Sequence, residues 1–235
     1  MSDSSICIIT ARGGSKRIPG KNIKEFLKEP IINYSVKAAL NSGIFDEVMV
    51  STDDDKIAGT AVKAGASVPF MRSAETSGDT ATTAEVILEV LEKYSSLGKT
   101  FDYVCCMYPT APFITPEKLK KSLEILKEKN ANSVIPVVRF SYPPQRGYII
   151  ENGVLKYKWP ENYSKRSQDL EPLYHDSGQF YFYKADFFIK TKGLNFEDMY
   201  PLILSDLEVQ DIDTPDDWET AEMKYSILRE KGIIK

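Results

Sequence analysis

Residues that build metal clusters and disulfide frameworks are scarce in this sequence, which contains three cysteines and one histidine among 235 residues. Cys7, Cys105 and Cys106 all lie in apolar runs, and their spacing matches no zinc-binding motif. An odd number of cysteines also fits no disulfide framework. The sequence therefore predicts three reduced cysteines in the protein core.

The sequence also lacks an excess of positive charge and a long apolar run. Its formal net charge is -4, which argues against a general nucleic-acid-binding protein. No apolar stretch approaches the roughly 18 residues of a membrane span, and residues 1–5 do not begin a signal peptide. We therefore expect a cytoplasmic protein with no nucleic-acid or membrane partner, although a local group of cations can still bind one anionic ligand.

Apolar segments with strand and helix spacing alternate over the first 138 residues. The predicted strands are residues 5–11, 47–51, 67–71, 102–107 and 133–138. The predicted helices between them are residues 31–41, 56–64, 79–94 and 116–129. This alternation predicts an α/β fold, with a mostly parallel sheet covered by helices on both faces. Ligands bind such sheets at the carboxyl ends of the strands.

The pattern changes at residue 140. Residues 140–176 are rich in proline, tyrosine, asparagine and lysine, with short β segments at 147–150 and 154–157. A structureless loop of this length is uncommon in a compact domain, so we predict an arm that clasps a second subunit or the substrate. A strand at 178–183 and a final helix at 215–230 follow. Without repeats or linkers, residues 1–235 are expected to form one domain with an arm.

A glycine-rich loop with four cations follows the first predicted strand. Residues 11–22 have the sequence ARGGSKRIPGKN, in which two adjacent glycines allow backbone N–H groups to approach an anion. The cations Arg12, Lys16, Arg17 and Lys21 suit the oxygens of a polyphosphate. The spacing fits neither a P-loop nor a dinucleotide-binding motif, and a solvated basic turn is the alternative.

This loop resembles the opening of the CMP-sialic acid synthetase family, the cytidylyltransferases of acidic sugars. Four further segments follow in that family's order: 45–53 (FDEVMVSTD), 72–83 (RSAETSGDTATT), 108–113 (YPTAPF) and 211–214 (DIDT). The resemblance implies a Rossmann-like fold of the nucleotide-diphospho-sugar transferase type and a homodimer that uses Mg²⁺. It also implies a reaction in which CTP and an acidic nine-carbon sugar give a CMP-sugar and pyrophosphate.

The resemblance assigns most of the nucleotide site. It implies that Arg12 and Lys21 bind the triphosphate and form the catalytic set with Asp213, and that backbone groups at 109–111 recognise cytosine. The implied nucleotide contacts are Ala11, Arg12, Gly13, Gly14, Ser15, Lys21, Asn22, Arg72, Thr83, Pro109, Thr110 and Ala111. For residues 79–83, an additional interpretation is the N-cap of the helix that follows.

Two carboxylates near the C-terminus are candidates for a metal site. Asp211 and Asp213 are expected at the end of a strand over 207–212, where residues two apart face the same side. They could then converge on one hard cation such as Mg²⁺, which is the role that the resemblance also gives them. The alternative is that Asp213 or Thr214 caps the last helix, with Pro215 in its first turn.

The identity of the sugar depends on the segment around the single histidine. His175 and Ser177 stand where sialic acid synthetases usually carry arginine and asparagine, and Tyr108 replaces a usual glutamine. These departures favour the family member that acts on pseudaminic acid; legionaminic acid, N-acetylneuraminic acid and an eight-carbon acid are alternatives. Arg166 is the expected clamp for the sugar carboxylate. The predicted sugar contacts are Tyr108, Arg166, Gln168, Asp169, His175, Asp176, Ser177 and Gln179.

Other interpretations depend on single features. Asp53, Asp54 and Asp55 resemble the D-x-D metal motif of glycosyltransferases, but we interpret them as a loop and the start of a helix. A non-catalytic nucleotide-binding module would be expected to lack Arg12, Asp211 or Asp213, and all three are present. The resemblance further implies that the product sugar is used on flagellin or a surface polysaccharide.

Overall fold

The computed structural model describes residues 3–234, so the chain ends at 1–2 and 235, which belong to the predicted domain, lie outside the described residues. Its strands are β1 (Ser5–Thr10), β2 (Glu25–Phe26), β3 (Glu29–Pro30), β4 (Glu47–Ser51), β5 (Tyr103–Met107), β6 (Ser133–Arg139), β7 (Tyr148–Glu151), β8 (Val154–Tyr157), β9 (Tyr174–Asp176), β10 (Phe180–Lys184) and β11 (Met199–Leu204). Its α-helices are α1 (Ile31–Ser42), α2 (Asp55–Lys63), α3 (Ala74–Ser77), α4 (Thr83–Ser96), α5 (Pro116–Glu128), α6 (Ala185–Thr191) and α7 (Pro215–Glu230).

Seven of these strands form the central sheet, in the order β11-β6-β10-β5-β1-β4, with β9 paired to β6. β1 is parallel to β4 and β5, and β11 is parallel to β6. β10 lies between β5 and β6 and is antiparallel to both. The carboxyl ends of the strands β4, β1, β5, β6 and β11 therefore lie on the same side of the sheet as the amino end of β10. The predicted mostly parallel α/β fold is confirmed.

The core follows from the alternation of side chains along the strands. Cys7 and Ile9 of β1 pack on one face of the sheet with residues of α1, α2 and α5. Ile6 and Ile8 point to the other face and pack with α4 and α6. Both faces are thus covered, which explains why β1 is almost continuously apolar. The three cysteines are buried and free, as predicted.

A third apolar cluster fixes the glycine loop relative to the start of α7. Ile18, from the loop, and Ile212, next to Asp213, are both buried in this cluster with Trp218 of α7. Phe26 packs edge-on against Trp218 at a ring-centroid distance of 5.6 Å. Two segments almost two hundred residues apart in sequence are held together by this packing.

The helix predicted from residue 79 begins later than expected. α4 starts at Thr83 because Thr82 is its N-cap, and Glu85 closes a reciprocal capping box with it. Asp79 is therefore not a cap and remains in the connector between α3 and α4. The strand predicted at 67–71 was also wrong, since only an isolated bridge between Met49 and Ser67 forms there.

The strand predicted at 207–212 does not form. The chain leaves the sheet after β11, whose strand was not predicted, and a short 3-10 turn (Asp206–Glu208) follows. Glu208 Oε2 accepts hydrogen bonds from the backbone N–H of Ser205 at 3.1 Å and from its hydroxyl at 2.7 Å. Capping ends the extended conformation here, so Asp211 and Asp213 lie on irregular backbone.

The segment between β6 and β9 lies largely on the surface. The predicted β segments form the hairpin β7–β8, and the last three residues of the predicted arm form β9 in the main sheet. Large apolar side chains of the segment are exposed, including Tyr142 at 89% and Ile150 at 75%. In the described part of the chain, no helix has both the length and the hydropathy of a membrane span.

Candidate active site

The glycine loop lies at the carboxyl edge of the sheet, directly after β1. Backbone contacts fix it: the N–H of Ala11 donates to Ser51 O at 2.9 Å, and the N–H of Gly13 donates to Asp53 Oδ1 at 2.8 Å. Asn22 is buried and its Nδ2 donates to Arg12 O at 2.9 Å, so this predicted nucleotide contact also holds the loop in shape. Because the N–H of Gly13 donates to Asp53, it is already hydrogen-bonded within the protein.

The loop forms one wall of a cavity of about 480 Å³. The cavity is lined by Thr10, Arg12, Gly14, Ser15, Lys16, Arg17, Ile18, Lys21, Asn22, Tyr108, Pro109, Thr110, Asp211 and Asp213. Seven of these residues are predicted nucleotide contacts, Lys16 and Arg17 are the other two loop cations, and Asp211 and Asp213 are the predicted metal ligands. The structure brings them together around one space. Ala11 is buried beneath the loop, and Ala111 is buried beside Thr110.

All four cations of the loop are paired with carboxylates. Arg12 and Lys16 contact the two oxygens of Asp79 at 2.7 and 2.5 Å. Hydrogen bonds from Lys16 and Arg12 lower the pKa of the Asp79 carboxyl below its ordinary value. Arg17 and Lys21 contact Asp213 Oδ1 at 2.9 and 3.4 Å.

Lys21 is the least exposed cation of the loop, at 21% for its side chain. Its Nζ also donates to the backbone oxygen of Ile212 at 2.7 Å. The ammonium is therefore fixed between the glycine loop and the segment that carries Asp213. A solvated basic turn would not show this arrangement.

Asp211 and Asp213 face the same cavity, although the strand expected to align them is absent. Partial burial, and then the neighbouring charge of Asp213, raises the pKa of Asp211 above its ordinary value. Two carboxylates that face one cavity suit a divalent cation with oxygen ligands. Within residues 3–234, no group of three or more His, Cys, Asp and Glu residues is placed to hold a metal. Phosphate oxygens and water would therefore complete the coordination.

Of the two residues considered as the cap of α7, Asp213 and Thr214, the structure shows Thr214 in this role. Thr214 is the N-cap of α7, and its Oγ1 accepts from the backbone N–H of Asp217 at 3.2 Å. Asp217 returns the contact by accepting from the N–H of Thr214 at 2.8 Å. The Asp213 side chain is thus not needed for the cap.

Arg72 and Thr83, like Ala11, Gly13 and Ala111, are predicted nucleotide contacts that do not line the cavity. Arg72 is buried, with its Nε donating to Ser51 Oγ at 3.0 Å and its guanidinium also donating to Ser51 O at 2.6 Å. Thr83 lies 3.5 Å from the hydroxyl of Tyr108, which does line the cavity. Arg72 thus fixes the end of β4, and Thr83 contacts the cavity through Tyr108.

Tyr108, a predicted sugar contact, lines the loop cavity instead, and the other predicted sugar contacts divide into two groups, of which one borders that cavity. A second cavity of about 530 Å³ is lined by His175, Asp176, Ser177, Gly178, Tyr181, Asp206, Val209, Gln210, Asp211 and Lys224. Asp211 belongs to both cavities, so they adjoin at this carboxylate. Ser177 Oγ is buried without a hydrogen-bond partner among the described residues, and it lines the second cavity. Gln179 is buried and its Nε2 donates to Glu208 O at 2.6 Å.

Tyr181, Lys224 and Gln210 are among the residues of the second cavity that were not predicted from the sequence. The Tyr181 hydroxyl donates to the Asp176 carboxylate, at 3.0 Å from each oxygen. Lys224 Nζ donates to Val209 O at 2.7 Å, and Gln210 lies next to Asp211 on the wall. Tyr181 could have been found from its spacing two residues after Gln179 on a strand. The sequence carries no local signal for the other two.

The second group of predicted sugar contacts lies apart from both cavities. Arg166 forms a two-point ion pair with Asp169, with distances of 2.8 and 3.1 Å, and its side chain is 73% exposed. Gln168 lines a separate cavity of about 330 Å³ beside Arg139 and Phe140. Within one chain, these residues do not reach the space beside Asp211.

The triple acid has structural roles. Asp54 is the N-cap of α2 and accepts from the N–H groups of Lys56 and Ile57 at 2.8 and 3.0 Å. Asp53 supports Gly13, as described above. The interpretation of this segment as a loop and helix start is confirmed, and the D-x-D hypothesis has no converging carboxylates to support it.

Comparisons with known proteins agree with this geometry. A family model described as cytidylyltransferase matches residues 6–230. The pseudaminic acid cytidylyltransferase of Campylobacter jejuni is 40% identical over 236 residues, which cover 97% of this chain and 99% of that protein. The CMP-N,N'-diacetyllegionaminic acid synthase of Legionella pneumophila is 36% identical over 238 residues, again covering 97% and 99%.

The fold also matches solved structures. A CMP:2-keto-3-deoxy-manno-octonic acid synthetase in complex with CTP superposes with a TM-score of 0.71 at 17% identity, covering 95% of this chain and 99% of that one. At this identity the likeness concerns the fold alone. It agrees with the nucleotide-diphospho-sugar transferase type predicted from the sequence.

Proposed function

Because this chain belongs to the cytidylyltransferase family, we propose that it joins CTP to a nonulosonic acid, preferentially pseudaminic acid, and releases pyrophosphate. The observation that carries the proposal is the meeting of two cavities at Asp211: one lined by four cations, the other mainly by uncharged and acidic hydrogen-bonding groups together with one lysine, Lys224. A triphosphate and a sugar bound in these cavities would have their reacting groups next to each other.

The chain's cations would hold CTP by its phosphates. Arg12 and Lys21 would bind phosphate oxygens, with the N–H group of Gly14 close by; the N–H of Ser15 donates to Gly13 O at 3.0 Å. Cytosine would lie against Pro109 and Thr110, where backbone groups can recognise its edge. Cations fixed in advance stabilise the negative charge that develops as the bond to pyrophosphate breaks.

Asp211 and Asp213 would hold a divalent cation, with Mg²⁺ as the first candidate. When bound, such an ion neutralises phosphate charge and lowers the pKa of an attacking hydroxyl. Asp211, which lines both cavities, would lie where the anomeric hydroxyl of the sugar approaches the α-phosphorus, with Asp213 on the nucleotide side. The reaction would then take place at the boundary between the two cavities.

The sugar would occupy the second cavity. The buried, unpartnered Ser177 hydroxyl and the Asp176 carboxylate, which Tyr181 orients, offer hydrogen bonds to sugar hydroxyl and acylamido groups. His175 and Lys224 line the same space. We assign His175 to sugar recognition. The preference for pseudaminic acid is supported by the identity to the Campylobacter jejuni relative.

We further propose that the chain works as a homodimer in the cytoplasm, and that residues 140–173 reach the partner's site. The exposed apolar side chains of this segment, such as Tyr142 and Ile150, support an interface. Arg166 does not line its own cavity and pairs with Asp169 on the surface, so it would serve the site of the second subunit. Three unpaired cysteines suit a reducing compartment.

The reaction is tested by pyrophosphate release from CTP with pseudaminic, legionaminic and N-acetylneuraminic acids side by side, with ATP as a control nucleotide. We expect release with CTP and pseudaminic acid at the highest kcat/KM. Preference for another of the three acids would retain the reaction and refute the sugar assignment. Absence of release with all three acids would refute the proposed function.

The arm is tested by mixing two inactive variants, Arg166→Ala and Asp213→Asn, before assay. If Arg166 acts in the partner's site, the mixed dimer contains one site with both residues intact, and activity returns. If it acts within its own chain, both sites of the mixed dimer remain defective. The mass of the unaltered protein, measured by light scattering, checks the dimer independently.

A further inference from the structure

The connector between α3 and α4, residues 78–82, brings a carboxylate onto the glycine loop. Asp79 Oδ1 lies 2.7 Å from an Arg12 nitrogen, and its Oδ2 lies 2.5 Å from Lys16 Nζ. The same Arg12 nitrogen also faces Gly78 O at 3.4 Å. Both cations line the cavity proposed for the nucleotide, so half of the loop's positive charge is held by one side chain.

We propose that Asp79 is an internal competitor of the triphosphate, and that it thereby sets the selectivity of the site for polyphosphate ligands. A phosphate oxygen that binds this face of Arg12 must replace the Asp79 carboxylate. A ligand with several negative charges binds Arg12 and Lys16 more strongly than the single Asp79 carboxylate does, so it can replace that carboxylate. A ligand without phosphate gains no binding free energy from the exchange. The inference rests on the proposed function, since it requires CTP in this cavity.

The connector is anchored at its two ends and held only lightly between them. On one side, Ser73 and Thr76 hydrogen-bond to Glu89 of α4. On the other side, Thr82 is locked in the capping box of α4. Between them, one backbone hydrogen bond of 3.3 Å joins Ala81 N–H to Gly78 O. Asp79 can therefore leave the loop without the unfolding of either helix.

The exposure of the ion pairs suits an exchangeable contact. The side chains of Asp79 and Lys16 are 54% and 78% exposed, and that of Arg12 is 40% exposed. Ion pairs so close to water are weak and reversible. They are strong enough to bias binding, because the carboxylate is tethered and its local concentration is high.

The test is a calorimetric titration of CTP and of cytidine into the unaltered protein, Asp79→Asn, Asp79→Glu and Glu75→Gln. Asparagine preserves the size of Asp79 and removes its charge. Glu75 is an exposed acid of α3 with no contact to Arg12 or Lys16 among the described residues, so Glu75→Gln removes the same charge nearby. We expect Asp79→Asn to bind CTP roughly three- to tenfold tighter, from the loss of two exposed ion pairs.

Glu75→Gln and Asp79→Glu should bind CTP with nearly the unaltered affinity, and cytidine should bind all four proteins alike. Equal or weaker CTP binding by Asp79→Asn would overturn the inference, as would an equal gain in Glu75→Gln, which would indicate a general field effect. A gain for cytidine would also overturn it. Failure of the unaltered protein to bind CTP would refute the proposed function itself, and the inference with it.

Discussion

Replacement of Glu89 by glutamine should weaken the attachment of the segment that carries Arg72 and Asp79. Glu89, on α4, accepts hydrogen bonds from the backbone N–H of Ser73 at 2.9 Å and from its hydroxyl at 3.0 Å. It also accepts from Thr76 and from Lys93 on its own helix. Its side chain is only 14% exposed, so glutamine must fill the same space without the charge.

The magnitude follows from the pKa of this carboxyl. Burial by itself raises the pKa of Glu89, but hydrogen bonds from Lys93, Thr76 and Ser73 outweigh burial and lower it from 4.5 to about 2. A difference of this size corresponds to at most about 3.4 kcal/mol of stabilisation. Because Lys93 remains partly in water, solvent screening reduces the expected loss in Glu89→Gln to about 1–2 kcal/mol.

The sign of the pH dependence is fixed by the lowered pKa. A carboxyl that ionises more readily in the folded state stabilises the protein above its unfolded pKa of 4.5. That contribution is lost as the pH falls from 4.5 towards 2. The difference in stability between the unaltered protein and Glu89→Gln should therefore be constant near neutral pH and become smaller in acid.

Urea unfolding at about pH 7 and about pH 3 measures both the loss and its pH dependence, because roughly half of the contribution is lost by the lower pH. The control is Glu92→Gln, an exposed glutamate on the same helix, which should change the free energy of unfolding by less than about 0.5 kcal/mol. If Glu89→Gln loses the same free energy of unfolding at both pH values, the ionised Glu89 carboxylate is not the cause of the loss. If Glu92→Gln loses as much as Glu89→Gln, the hydrogen bonds of Glu89 are not the cause.

Two further substitutions test the loop and the carboxylate pair. In Gly13→Ala, the new Cβ would lie 3.0 Å from Cβ and Oδ2 of Asp54, which is fixed as a helix cap. Urea unfolding should therefore show a loss of about 1–2 kcal/mol in the free energy of unfolding. Gly14→Ala, with no atom within 4 Å of the new Cβ, should leave the free energy of unfolding nearly unchanged. Asp213→Asn should lower pyrophosphate release roughly a hundredfold or more, whereas Asp216→Asn, an exposed change in the first turn of α7, should not. Equal effects within either pair would contradict the reasoning.

The parts of the fold that local sequence determines were predictable. The β-branched run of β1 and the two glycines after it locate the loop, and Thr214 with Pro215 gives the start of α7. The nucleotide cavity was also largely predictable, because residues that follow parallel strands meet at one edge of the sheet. Pro109, two residues after β5, is an example.

Other parts of the fold depend on competition between segments for a place in the sheet, which the sequence of one segment does not reveal. The run ending at Asp211 has strand-like composition, but β11 already occupies the edge beside β6, and the Ser205–Glu208 cap turns the chain away. That cap has the S-x-x-E signature and could have been recognised. The pairing of Asp79 with Arg12 could not have been recognised from the sequence, because tertiary contacts place the connector that carries Asp79.

The antiparallel direction of β10 has a consequence for how such a protein can change. The chain enters β10 at the edge where its parallel neighbours end, which places residues 175–179 next to Tyr108 although they are far away in sequence. Under the proposed function, the glycine loop (residues 11–22) would face the phosphates and residues 175–178 the sugar, so these two groups are encoded in separate stretches of the gene, whereas Asp211 would serve both cavities. Mutations within residues 175–178 can then alter which sugar is accepted while the glycine loop is inherited intact.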